Sequence, residues 1–168
     1  ANLIELAKIA GERLHQAREA IDLWKEVLKE DPKTPGALEA LEKLGERERD
    51  FSTLAAALEL RVNAATDDAE KVKLLSRLGT LHGESLDDAN AAAKAWRRVL
   101  AIDPKNGRAL RTLRESYLAA GRYDDLESLY ADQRDFEGLV EVLGTAADKA
   151  TDAAIKVRLS LRAAELYE

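Results

Sequence analysis

The chain has 168 residues, of which 46% are apolar, 35% charged and only 5% aromatic, with a formal net charge of −6. Cysteine and methionine are absent, which excludes disulfides, zinc–thiolate centres and thiol nucleophiles. The acidic balance argues against general nucleic-acid binding, which needs a basic footprint, and the longest apolar tract, Leu54 to Leu58, falls far short of the ~20 residues of a membrane span.

Alanine, leucine, glutamate, lysine and arginine dominate, the residues that lose least on entering a helix, whereas strand formers are sparse. The expectation is an all-α fold of about ten helices. The first spans 2–14, and because Ala1-Asn2-Leu3-Ile4 already lies inside a helical pattern, the start is expected to be cut from a longer chain. The second spans 17–30, where Ala17, Ala20, Ile21, Trp24, Val27 and Leu28 fall at three- and four-residue steps and share one face. Asp31-Pro32 ends it, since the residue before proline is pushed out of the α region. Thr34-Pro35 reads as an N-cap followed by proline at the first helical position, opening 35–47. Asp50 caps 51–65, and Asp67-x-x-Glu70 reads as a capping box opening 68–83. A sixth helix, 87–102, repeats the tryptophan stripe with Trp96 and ends at Asp103-Pro104. Asn106 caps 107–119, Gly121 supplies a left-handed reversal, and 123–131, 136–149 and 153–167 follow, the last two capped by Asp135 and Asp152. The short connections imply antiparallel neighbours.

Sliding the sequence against itself exposes two repeats. At an offset of 72, residues 3–41 match 75–113 at 16 of 39 positions, including Trp24 with Trp96 and Asp31-Pro32-Lys33 with Asp103-Pro104-Lys105. At an offset of 85, residues 49–81 match 134–166 at 14 of 33, beginning with Arg49-Asp50-Phe51 and Arg134-Asp135-Phe136. The offsets differ by 13, so the second unit carries an extra short helix, placed near Gly121 to Ala131. Units of about 1–72 and 73–157 follow, with a third beginning near 158, all within one repeat domain, 1–168. Each hairpin cannot bury its own apolar face, so the hairpins are expected to stack.

These residues resemble the tetratricopeptide repeat. Leu110-x-x-Leu113-x-x-x-Tyr117, then Gly121-Arg122-Tyr123 and Leu126-x-x-x-Tyr130, follow its helix–turn–helix pattern. Ala20, Trp24, Val27 and Pro32, and again Ala92, Trp96, Val99 and Pro104, follow its second helix. Leu78-Gly79-x-x-His82 is similar to its first. The array departs from the family pattern at the long loops 12–16 and 84–88 and at Gly45, which stands where Tyr117 stands one unit later. The resemblance implies a right-handed superhelical solenoid of antiparallel pairs whose job is to bind proteins.

The catalytic inventory is close to empty: there is no phosphate loop, no His-Glu-x-x-His and no nucleophile elbow, so no enzyme, cofactor or metal is expected. Of the two histidines, His82 takes the position of Tyr117 and Tyr167 and reads as packing, and His15 reads as a solvated loop residue. Asp67-Asp68, Asp87-Asp88 and Asp124-Asp125 all fall at helix starts, where aspartate caps free N–H groups. Trp24 and Trp96 read as core anchors. The resemblance places ligands on the first helices, giving a lining of Lys43, Lys73, Ser76, Arg108, Arg111, Glu115 and Arg158, with Ile4, Lys8, Glu39, Thr80 and Leu118 beside them. Most of the charges there are basic, which suits an acidic segment of a protein or peptide partner; the plain alternative is a set of solvated faces. The leading role is a scaffold or adaptor module of a bacterial protein, with a peptide-sensing regulator or a structural spacer as alternatives. No compartment is fixed, cytoplasm ranking slightly before periplasm.

Overall fold

The computed structural model describes residues 2–13 and 16–166. Among these there are ten α-helices, one π-helical turn and no strand. Leu14, His15 and Tyr167, to which the sequence assigns a helix end, a solvated loop position and an aromatic packing position, lie outside the described residues. Two compact units divide the chain, 1–102 and 103–168.

The first unit holds α1 (Leu3–Lys8), the π turn (Ile9–Arg13), α2 (Ala17–Glu30), α3 (Ala37–Glu48), α4 (Phe51–Ala64), α5 (Asp68–Glu84) and α6 (Ala89–Ile102). Each helix packs against the next. The apolar stripe of α2 is buried with Ala7, Ala10, Ala37, Leu41 and Leu44, so α1, α2 and α3 share one core. Trp24 is 4% exposed and Trp96 3%, which makes both the anchors their periodicity predicts. Trp96 lies flat against α5 at Gly79, where a Cβ would come within 2.7 Å of the indole nitrogen.

The second unit holds α7 (Gly107–Ala119), α8 (Tyr123–Gln133), α9 (Phe136–Lys149) and α10 (Ala153–Glu165), again packed in sequence. Helix α8 is the extra element that the two offsets imply. Tyr117, Leu113, Leu126, Leu139, Leu143 and Leu159 are the largest fully buried side chains of this unit.

Most helix starts follow the sequence. Asp50, Asp67, Asn106, Asp135 and Asp152 each accept a backbone N–H from the first turn they precede. Gly121, at φ 64, closes α7 with a Schellman motif, in which the N–H groups of Arg122 and Gly121 donate to the carbonyls of Tyr117 and Leu118. Four details differ from expectation. Thr34 does not cap: its hydroxyl donates to the Asp31 carbonyl at 2.9 Å, Pro35-Gly36 make a turn with Gly36 at φ 78, and α3 starts only at Ala37. The matching Asn106 does cap, because Gly107-Arg108 can enter a helix where Pro35-Gly36 turn away. In the capping box only Asp67 acts, since Glu70 gives its carboxylate to Arg61. The pair Asp124-Asp125 caps nothing; both sit in the first turn of α8, and Asp125 instead accepts from Arg122 at 2.8 Å. Asp88 caps α6 through Ala91, so that helix opens at Ala89 rather than 87, and Asp87 takes a left-handed φ of 51.

The two Arg-Asp-Phe segments form identical joints. Arg49 and Arg134 take left-handed conformations, φ 57 and 56, that terminate α3 and α8, and the aspartate that follows caps the next helix. Gly45 explains the missing aromatic of α3. A Cβ there would meet the backbone nitrogen of Leu54 at 3.0 Å and the Asp50 carbonyl at 3.1 Å, so α3 and α4 approach closely enough that a side chain would have to push backbone aside.

Candidate interaction surface

The offset of 85 extends upstream of Arg49 once helices are compared. Leu41, Glu42 and Leu44 of α3 correspond to Leu126, Glu127 and Leu129 of α8, with all four leucines buried. One ion pair recurs with this register. In the first unit Arg77 of α5 donates to Glu42 of α3 at 2.8 Å; in the second Arg162 of α10 donates to Glu127 of α8 at 2.9 and 2.7 Å. Residues 42 and 77 become 127 and 162 on adding 85. Thus α8, α9 and α10 repeat α3, α4 and α5 in structure as well as sequence.

The two copies of this surface differ in what lies on them. In the first unit Glu42 is 6% exposed and joins two cations, Arg61 at 2.8 Å and Arg77 at 2.8 Å. Arg61 continues to Glu70 at 3.2 Å, and Arg77 to Glu46. The hydrogen bond that Arg61 donates to Glu42 raises its guanidinium above its ordinary value, against the opposing effect of burial. Five side chains from three helices therefore seal this face. Sequence reasoning missed the network because its partners are up to 35 residues apart and none stands in a local motif. Lys43 and Lys73 are exposed beside it, and Ser76 is half-buried with its carbonyl accepting from Thr80.

In the second unit only the Arg162–Glu127 link of that network is kept, and Arg162 adds one to Glu165. Alanines at 131 and 146 replace Glu46 and Arg61, and Ile155 replaces Glu70. What remains is a groove of about 960 Å³ between α8 and α10. Tyr123, Val157 and Leu161 supply its apolar lining, and Arg158, Asp124 and Glu165 its polar one. Val157 is 58% exposed and Leu161 60%, on the same helix face as Arg158. The Arg158 guanidinium sits 5.6 Å from the centroid of Tyr123, a cation–π distance that holds the charge at the rim. Arg162 is engaged with both Glu127 and Glu165, and these hydrogen bonds raise it above its ordinary value.

The remaining expected residues go to other parts of the second unit. Glu115 lines a separate groove of about 890 Å³ with Arg114, Leu118, Tyr130 and Val142. Arg111 lines a smaller hollow of about 480 Å³ that shares Arg114 and Tyr130 with it. Arg111 and Arg114 make no ion pair among the described residues, and Arg108 is exposed one turn before Arg111. Arg158 and Glu115 line different hollows that share Tyr123.

His82 is half-buried, and its Nδ1 has no hydrogen-bond partner among the described residues. No group of three or more acidic, histidine or cysteine side chains among the described residues could hold a metal ion. Nor is any described helix long and apolar enough to cross a membrane. No protein-family model matches the chain, and no curated protein sequence matches it.

Proposed function

We propose that this chain is a protein-interaction module, a tetratricopeptide-like solenoid of stacked hairpins that seats a segment of a partner protein between α8 and α10. The reading draws support from the repeated helix pairs and, above all, from one observation: two large aliphatic side chains, Val157 and Leu161, stand more than half exposed in a groove. Isolated exposed apolar residues are ordinary, but neighbours in a concavity mark interaction sites. Tyr123 and Arg158 beside them add the aromatic and arginine contacts that carry much of the affinity at interfaces. Arg158 gives the seat a cation for an acidic residue of the partner, while Lys43, Lys73 and Ser76 hold the equivalent face of the first unit. The role is that of a scaffold or adaptor without catalysis or cofactor.

Leu161→Asp tests this reading. Its side chain is exposed, so the melting curve should stay within about 0.5 kcal/mol of wild type. Partners retained by the immobilised wild-type chain should bind the variant at least tenfold more weakly. A folded Leu161→Asp chain that keeps every partner at wild-type affinity refutes the α8–α10 seat. Arg158→Glu should act mainly through slower association and an altered salt dependence.

A further inference from the structure

The corner between α8 and α9 departs from its copy in the first unit in three side chains that together change its charge. On adding 85, Gly45, Glu46 and Glu48 of α3 become Tyr130, Ala131 and Gln133 of α8. Two carboxylates are lost there, and a phenol and an amide are gained. At the first corner the backbone of Leu54 and Asp50 lies against Gly45. At the second, Tyr130 and Gln133 wall a hollow of about 480 Å³ together with Arg111 and Arg114 of α7. We infer that this hollow is a binding site for a phosphate monoester, gripped by Arg111 and Arg114, with the Tyr130 hydroxyl and the Gln133 amide as further donors.

The two arginines carry the argument. Arg61, Arg77, Arg98, Arg122 and Arg162 each meet a carboxylate, whereas Arg111 and Arg114 make no ion pair among the described residues of this acidic chain. Arg114 is half-buried, so it gives up part of its hydration with no anion in return. One helical turn separates the two, which makes them repel each other and lets both guanidinium forks reach one oxyanion. Asp135, the carboxylate in the lining, accepts the Gly138 N–H at 2.9 Å and so is turned to the cap of α9. Two permanent cations and two neutral donors match a group with up to two negative charges and three acceptor oxygens; a carboxylate would satisfy one arginine. The hollow shares no residue with the α8–α10 groove, and the site stands independently of the seat proposed there.

Phosphoserine titrated against the whole chain and followed by its phosphorus resonance tests the site. Binding should saturate at one equivalent. Arg111→Gln and Arg114→Gln should each weaken it about tenfold or more, with circular dichroism reporting an intact fold, since both side chains reach solvent. Tyr130→Phe should weaken it about threefold, and Arg158→Gln, in the other groove, should leave it unchanged. Affinity should fall as pH drops through about 6, where the monoester takes up its second proton while the arginines keep their charge. A glycine-flanked phosphoserine peptide that binds more tightly than phosphoserine assigns the site to a phosphorylated protein segment; equal affinity assigns it to a small phosphorylated molecule. A phosphorus signal that never moves overturns the inference, as does acetate binding as tightly as phosphoserine. So does a loss on Arg158→Gln that equals the loss on Arg111→Gln, or an affinity indifferent to that protonation.

Discussion

Glu42 offers the sharpest measure of how much buried charge contributes to this fold. Its side chain is 8% exposed, whereas Arg61 is 26% and Arg77 39% exposed. Removing one member of a fully buried pair costs about 3–5 kcal/mol, chiefly because the other charge is left without a partner. Here both arginines keep a second carboxylate, Glu70 and Glu46, and both reach water, so Glu42→Gln should cost less, about 2 kcal/mol. Glu127, its repeat counterpart, is 23% exposed against an arginine 45% exposed, and Glu127→Gln should cost no more than about 1 kcal/mol. Both tryptophans lie in the first unit, so indole emission during a urea melt follows that unit alone, and circular dichroism follows both. The Glu42→Gln midpoint should fall with an unchanged slope, equivalent to about 4–8 °C in a thermal melt. Equal losses for Glu42→Gln and Glu127→Gln would show that burial does not set the strength of this repeated pair.

Three further outcomes follow from the packing. Trp24→Ala and Trp96→Ala should each cost about 3–5 kcal/mol, read from denaturant melts by circular dichroism, because both rings are buried. Gly45→Ala should destabilise by about 1–3 kcal/mol despite alanine's better helix propensity, since the new Cβ meets backbone of α4 that has no rotamer to change; a stabilised variant contradicts the close approach. Asp50 is held below its ordinary value, first by the N–H of Thr53 and then by the Thr53 hydroxyl. A lowered carboxyl stabilises the fold above its unfolded value and loses that contribution as pH falls through its folded value. Asp50→Ala should therefore cost about 1 kcal/mol at neutral pH, and the gap to wild type should close below about pH 4.

The helices were legible because their signals are local. Asp50, Asp135 and Asp152 sit one residue before an apolar-periodic run, and a side chain that short has few options other than the N–H groups of that run. Gly121 and the tryptophan stripe are readable for the same reason. Thr34-Pro35 misled because the next residue, Gly36, supplies a left-handed turn that competes with helix initiation. The candidate surface was legible only in part. Arg158 lies where the repeat register puts it, but whether a register position is sealed or open depends on Glu42, Arg61 and Glu70 and on their replacement by Glu127, Ala146 and Ile155. Each residue of that set is unremarkable in its own helix; the contrast emerges only when three helices are assembled.

The Arg-Asp-Phe joints also constrain how this chain can vary in length. At both, a single left-handed residue and its capping aspartate are all that separates two helices. At the first joint the backbone of that corner is pressed against Gly45. An inserted residue would rotate every later position of α4 by a third of a turn or so, turning Leu54 and Leu58 away from their neighbours. The Pro32–Gly36 connection, exposed except for Thr34, has room to absorb extra residues. Insertions and deletions should therefore be confined to one class of connector and excluded from the other, so that length polymorphism among related chains would map the rigid corners directly.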